Sequence, residues 1–313
     1  MIVTVTPNPV VDRTLTVPRI VMDDMVRATE VREDWGGKGF NVSRALQSFG
    51  QESVAMGFLG GAAGARLASG LRAHGIQLTA VPIVEETRTN IVITEADAKR
   101  YIKVNEAGPT ISGEEQVIFF EYVDNLVQAG DIWALCGSLP PGLPLDFYAQ
   151  VTERLHYAGA KVLLDASGEA FRIGLSACPD LIKPNDVEAA AFLGEAIAGP
   201  EQAARAVDKF VEMGITLVSL SLGAAGLMLA SGSSRIWAKP PSVHAQNPVG
   251  AGDASVAGIV WAFAEGLSLA EVARWGVASG TAAAVREGVS VGTRGEIETL
   301  YAEVRFATWP EDL

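Results

Sequence analysis

Short β-rich runs alternate with segments of helical period along most of this chain, and no other feature narrows the possible folds as far. The runs IVTVT (2–6), SVAMGFL (53–59), DIWALC (131–136), KVLLD (161–165), DLIK (180–183) and TLVSLSL (216–222) predict strands. Between them NVSRALQSFG, GARLASGLRAHG, PLDFYAQVTERLHYAG and PEQAARAVDKFVEMG carry apolar residues at helical spacing, and each closes on Gly. Successive parallel strands need a crossover, usually a helix. The alternation therefore predicts an α/β fold with a mostly parallel sheet covered on both faces.

Two regions break the rhythm. Residues 12–34 and 87–104 read as strands with no helix between them, for example RTLTVPRI, TNIVIT and RYIKV. They predict a small antiparallel sheet projecting from the main body as a lid. The C-terminal third predicts helix from Ala251 to about Arg286, interrupted near EGLSLAE, and again from about Gly295. Nothing resembles a linker, so residues 1–313 are expected to form a single domain with the lid strands inserted in it.

Charge and cysteine content restrict the partners. With 37 acidic and 24 basic residues, the net charge of −13 argues against nucleic acid and anionic membranes. An anionic small molecule stays open, because a few bases and helix N-termini suffice to hold one. No apolar run approaches the length of a membrane helix, and MIVTVTPNP lacks the basic start of a signal peptide. Cys136 and Cys178 lack metal-ligand spacing and are expected to be buried, reduced thiols in a cytoplasmic protein. His74, His156 and His244 are scattered and are assigned no role.

The chemistry concentrates in glycine turns. In NPVGAGDASVAG, Gly250, Ala251 and Gly252 let a ligand approach the backbone where a helix begins and its first N–H groups lack partners. Asp253, in that first turn, is either a capping acid or a reacting one, and this stretch alone does not separate the two. WGGKGFNVSRAL (35–46) is a second glycine turn opening a helix, with Gly37, Lys38 and Asn41 offering close approach, a charge and a polar amide. It fits neither the nucleotide P-loop nor the dinucleotide fingerprint. Asp12 follows strand one, at the carboxyl end where open α/β sheets bind ligands. CGSLPPGLP (136–144) forms a loop containing Ser138. In KPNDVEAA, Asn185 and Glu188 lie one turn apart, an oxygen pair suited to Mg²⁺ directly or through its waters. SLSLGAAG (219–226) is a further strand-to-glycine turn suited to phosphates.

In order, TPNPVVD, GGKGFNV, TRTNIVIT, NEAGP, CGSLPPGLP, LLDASGEA, IKPNDVE, SLGAAG, NPVGAGDASVAG and ASGTAAA resemble the phosphofructokinase B family of ribokinase-like sugar kinases, through nearly the whole chain. The resemblance implies a three-layer α/β/α fold with a β-sheet lid and transfer of the γ-phosphoryl group of ATP to a sugar hydroxyl. It implies Asp253 as catalytic base, with the amides of Gly250, Ala251, Gly252 and Asp253 as an anion hole. Asp12, Gly37, Lys38, Asn41 and Ser138 fall on the sugar side. Lys183, Asn185, Ser221, Gly223, Gly226, Ser279 and Gly280 fall on the ATP side, with Asn185 and Glu188 at Mg²⁺. Some relatives also need K⁺, whose carbonyl ligands would come from segments after Val243 and around Arg286. A homodimer through the lid is expected.

TRTNIVIT, CGSLPPGLP and LDASGEA point within the family to the hexose-phosphate branch. Arg88 matches a sugar-phosphate contact there, and a guanidinium grips phosphate in a way a neutral sugar does not require. Arg27 and Lys103, expected on neighbouring lid strands, would add to it. The favoured reaction is fructose 1-phosphate to fructose 1,6-bisphosphate, with tagatose 6-phosphate and fructose 6-phosphate as alternatives. Met25 stands where relatives acting on fructose 6-phosphate carry lysine, which weakens that last reading. A non-catalytic sugar or nucleotide sensor is the alternative from another class. It would be expected to lose Asp253 or the glycine turn, and both are intact.

Overall fold

The computed structural model describes residues 1–96, 100–245, 249–286 and 291–309. Among them the strands are β1 (Ile2–Thr6), β2 (Val10–Val17), β3 (Glu30–Gly36), β4 (Val54–Leu59), β5 (Gln77–Pro82), β6 (Arg88–Glu95), β7 (Tyr101–Val104), β8 (Ile132–Cys136), β9 (Lys161–Asp165), β10 (Leu181–Ile182), β11 (Leu217–Ser221), β12 (Leu227–Ser231), β13 (Ser234–Lys239) and β14 (Arg305–Thr308). The helices are α1 (Lys38–Ser48), α2 (Gly61–Ala73), α3 (Gly113–Leu126), α4 (Phe147–Tyr157), α5 (Gly168–Gly174), α6 (Asp186–Leu193), α7 (Pro200–Glu212), α8 (Ala251–Ala264), α9 (Leu269–Ala284) and α10 (Arg294–Glu303).

The main sheet runs β14-β13-β12-β11-β10-β9-β8-β1-β4-β5. From β5 to β11 all neighbours are parallel. Each residue of β1 and β8 is buried, and alternate side chains feed opposite cores. Val3, Val5, Trp133 and Leu135 join the core under α3, α4 and α7, whereas Ile2, Ile132, Ala134 and Cys136 join the core under α1, α8 and α9. Burial on both faces is why these strands read as continuous apolar runs. The three layers expected from the alternation are present.

The lid is a separate sheet ordered β3-β2-β6-β7. Its outer pairs are antiparallel, but β2 and β6 pair in parallel, so the wholly antiparallel lid expected from sequence is corrected to a mixed one. The reason is topological. β2 continues from β1 and β6 from β5, and those two strands leave the main sheet in the same direction.

The break expected near EGLSLAE separates α8 from α9, where Ser268 and Glu271 form a capping box. The antiparallel edge β12–β14 was not foreseen from sequence. A second correction concerns Cys178. Cys136 is buried, but Cys178 is exposed, held at positive φ where the chain turns out of α5 toward β10. No helix among the described residues is long and apolar enough to cross a membrane.

Candidate active site

The carboxyl ends of β1, β8, β9 and β10, together with the N-termini of α1 and α8, meet on one edge of the main sheet. The lid rises from the same edge, because only three residues separate β1 from β2. α1 can lie close to β1 because residue 39 is glycine. A β-carbon there would stand 2.6 Å from Thr6 Oγ1 and 2.7 Å from the Val5 carbonyl. Gly37, the N-cap of α1, has φ 122°, a conformation that favours glycine, and packs on Thr6. The bareness of this turn thus serves helix placement at least as much as ligand approach.

That placement aims Lys38 at the end of β9. Its Nζ lies 3.3 Å from both carboxylate oxygens of Asp165, and Lys183 Nζ lies 3.5 Å from one of them. Asp165 is fully buried. Burial pushes its carboxyl up, but Lys183 and Lys38 outweigh this and hold it below the usual range. Burial would likewise depress the Lys38 ammonium. Asp165, Asp253 and Glu188 reverse the balance, so Lys38 stays charged. Lys183 is 4% exposed, and its Nζ would stand 3.7 Å from a β-carbon on Gly252. A buried cation therefore sits beside the glycine turn at the start of α8.

Asp253 occupies the third position of α8 and makes no capping bond; the N-cap is Gly250, at φ 83°. The capping reading of Asp253 therefore fails. Its Oδ2 accepts a 2.7 Å hydrogen bond from Asn41 Nδ2. Burial, then the charge of Asp165, pushes its carboxyl up to about 6, against the pull of Asn41, Lys38 and Lys183.

The lid supplies the other half of the site. Asp12 Oδ1 accepts from Asn90 Nδ2 at 3.0 Å, and its carboxyl lies over residue 36, where a β-carbon would be 2.5 Å from Oδ2. Burial raises the Asp12 carboxyl, with Asn90, Lys103 and Arg88 opposing. Arg88 donates to the backbone carbonyls of Asn8 (2.9 Å) and Glu106 (3.0 Å), and its buried Nε has no partner. Asn8 Nδ2 donates to the Ala107 carbonyl at 2.9 Å and reaches Ser138 Oγ at 3.5 Å. Lys103 lies on exposed β7. Arg27 is corrected: it is exposed in the irregular 18–29 segment, not on a lid strand, at the end of the β2–β3 hairpin away from Asp12.

The residues expected on the nucleotide side lie along the neighbouring edge. Asn185 and Glu188 cap α6 reciprocally: Asn185 Oδ1 accepts from the Glu188 amide at 2.8 Å, and Glu188 Oε2 accepts from the Asn185 amide at 2.9 Å. Ser221 donates to the Pro184 carbonyl at 3.3 Å. Gly223 and Gly226 take positive φ in the turn before β12, and a β-carbon on Gly226 would collide with the Ala238 carbonyl. Ser279 turns its hydroxyl back onto the Trp275 carbonyl at 2.6 Å inside the α8–α9 contact, and Gly280 lies against Ala251 and Ser255. The expected potassium segments fall partly on 246–248 and 287–290, outside the described residues.

The family described as pfkB family carbohydrate kinase matches residues 6–294. The chain belongs to the pfkB family. It is 36% identical over 300 residues to a 1-phosphofructokinase of Rhodobacter capsulatus, covering 95% of this chain and 91% of that one. It is also 36% identical over 305 residues to a 1-phosphofructokinase of Bacillus subtilis, covering 97% and 99%. Among solved structures, Escherichia coli phosphofructokinase-2 in complex with potassium superimposes with a TM-score of 0.92 at 30% identity, covering 96% of this chain and 98% of that one. Asn8, Asn90, Asp165 and Arg44 of this pfkB protein escaped sequence reasoning. Asp165 lay inside the quoted LLDASGEA, but an acid ending a strand is too common to single out. Arg44 lay one turn beyond Asn41 on the same helix.

Proposed function

We propose that this protein is an ATP-dependent sugar-phosphate kinase converting fructose 1-phosphate to fructose 1,6-bisphosphate. The observation that carries the reading is Asp253: a buried acid at the start of α8, free of capping duty, beside Lys183 and the unpaired first amides of that helix. Asp253 accepts the proton of the attacking sugar hydroxyl. The amides of residues 250–253 and Lys183 hold the negative charge on the transferred group. Lys38, paired with Asp165, adds positive charge on the same edge. Asp12 and Asn90 meet the sugar hydroxyls, and Arg88, with a donor still open, meets the existing phosphate. Shared ancestry with two 1-phosphofructokinases favours fructose 1-phosphate over the alternatives, and Met25 weighs against fructose 6-phosphate alone.

The donor set fits Mg²⁺ arriving with the nucleotide better than a resident cage. The capping box uses one oxygen of Asn185 and one of Glu188, leaving Glu188 Oε1, and no cluster of three metal-ligating side chains occurs among the described residues. Glu188 would hold the hydrated ion, which would supply neutralisation of the nucleotide's phosphate charge when bound.

We further infer a homodimer through the lid. Val31, Leu15, Ile93 and Ile102 stand side by side across its four strands, on the face opposite Asp12 and Asn90. Val31 and Ile102 are exposed.

The test is an ADP-release assay across fructose 1-phosphate, fructose 6-phosphate, tagatose 6-phosphate, ribose and adenosine. Preference for fructose 1-phosphate is expected. Turnover of an unphosphorylated sugar alone would remove the role of Arg88. In parallel, Asp253→Asn is expected to keep ATP binding and lose turnover by several orders of magnitude, on the order of 4 kcal/mol or more. Near-normal turnover would end its proton-acceptor role.

A further inference from the structure

Asn41 and Arg44 lie three positions apart on α1, so their side chains are neighbours. Arg44 Nη2 donates to Asn41 Oδ1 at 2.5 Å, while Asn41 Nδ2 donates to Asp253 Oδ2 at 2.7 Å. The two ends of a carboxamide have nearly the same shape, and a half-turn exchanges them. A guanidinium can only donate hydrogen bonds, so the end facing Arg44 must be the oxygen. The N–H end is thereby committed to Asp253. With the amide reversed, its NH₂ would face the guanidinium and its oxygen would face the carboxylate, two repulsive contacts in a buried place.

Arg44 occupies a costly position. Burial depresses its guanidinium, with Asp34, Asp253 and Asp12 opposing, and its Nε is buried without a partner. Its hydrogen bond among the described residues is the one to Asn41. A surface helix pair would need no such burial.

We propose that Arg44 is a positioning residue for proton transfer, locking the Asn41 carboxamide so that its N–H faces Asp253 and keeps that carboxylate ionised and aimed. The inference rests on the reading of Asp253 as proton acceptor. The other groups acting on Asp253 are Asp165 from β9, Lys38 from α1, Lys183 beyond β10 and the Cys136 thiol from β8. From α9, Trp275, Gly276, Ser279 and Gly280 pack on α8, and none of them is charged. Removing Arg44 takes away a positive charge and frees the amide to turn. Both changes favour the protonated carboxyl.

The experiment compares Arg44→Met, Arg44→Lys, Asp253→Asn and the double variant Arg44→Met/Asp253→Asn by kcat, KM and the pH dependence of kcat, with a melting curve for each. Arg44→Met is expected to lower kcat by about 10- to 100-fold, the scale of a small misplacement, with the KM for either substrate little changed. The acid limb of its kcat profile should move to higher pH. Arg44→Lys, which keeps a charged donor, should recover most of the turnover. In the Asp253→Asn background, loss of Arg44 should subtract nothing more. Normal turnover and an unmoved acid limb in Arg44→Met, with Asp253→Asn inactive, would overturn the positioning role and leave the proton acceptor standing. An active Asp253→Asn would instead remove the acceptor itself. A loss in kcat matched by a rise in KM, together with a lowered melting point and unrescued by lysine, would mean that Arg44 merely supports α1, and so would failure of both Arg44 variants to fold.

Discussion

Asp253 concentrates the residue-scale argument, because its environment works against its charge. Burial and the neighbouring Asp165 lift its carboxyl to about 6 from an ordinary value of 3.8. Two consequences follow with opposite pH dependence. If Asp253 accepts the proton as proposed, the ionised form is the active one, and kcat/KM, which reports the free enzyme, should fall as pH drops through about 6; a kcat/KM flat down to pH 5 would contradict this. Stability responds in the other sense. Between the two values the native protein holds a proton that the unfolded chain has released, so the stabilisation from this group is present at low pH and lost as pH rises through about 6. Asp253→Asn should therefore be the more stable protein at pH 8, by roughly 1–3 kcal/mol, with the gain shrinking toward pH 4. Urea midpoints at the two pH values measure it. A variant less stable at pH 8 would show that attraction to Lys38 and Lys183 outweighs the cost of burial.

At the scale of elements, the placement of α1 and α6 decides what their side chains can do. Gly39→Ala would gain about 1 kcal/mol of helix propensity but push a methyl into the Val5 carbonyl and Thr6. A backbone contact does not yield as a side chain would, so α1 must shift, carrying Lys38, Asn41 and Arg44 with it. The expectation is a net loss of about 1 kcal/mol or more and reduced kcat, read by denaturant midpoint and initial rates. For α6 the question is whether Glu188 is more than a cap. Glutamine also completes a capping box, so Glu188→Gln should melt normally yet require more Mg²⁺ for half-maximal rate. An unchanged Mg²⁺ requirement would leave Glu188 with capping alone.

At the scale of the whole molecule, the lid presents two faces with different duties. One carries Asp12 and Asn90 toward the site; the other carries the apolar row from Val31 to Ile102. Val31→Glu combined with Ile102→Glu should yield a monomer by sedimentation velocity, with the main body still folded. A dimer surviving both charges would place the interface elsewhere. If pairing steadies the lid, the monomer should also bind sugar phosphate more weakly.

The strand–helix rhythm, the two glycine turns and the place of Asp253 in the first turn of a helix were legible from sequence, because each is a local pattern carried by a few consecutive residues. Burial of the central strands on both faces wrote itself as unbroken apolar runs, and closing glycines and the interruption near EGLSLAE marked helix ends. What tertiary structure alone decided joins residues far apart in the chain. Asn41 meets Asp253 across 212 positions and Lys38 meets Asp165 across 127. The parallel pairing of β2 with β6 depends on which way β1 and β5 leave the main sheet. The proton affinity of Asp253 and the orientation of the Asn41 amide follow from those meetings. Charges act through space and through whatever water packing excludes, and neither distance nor exclusion is written in the order of residues.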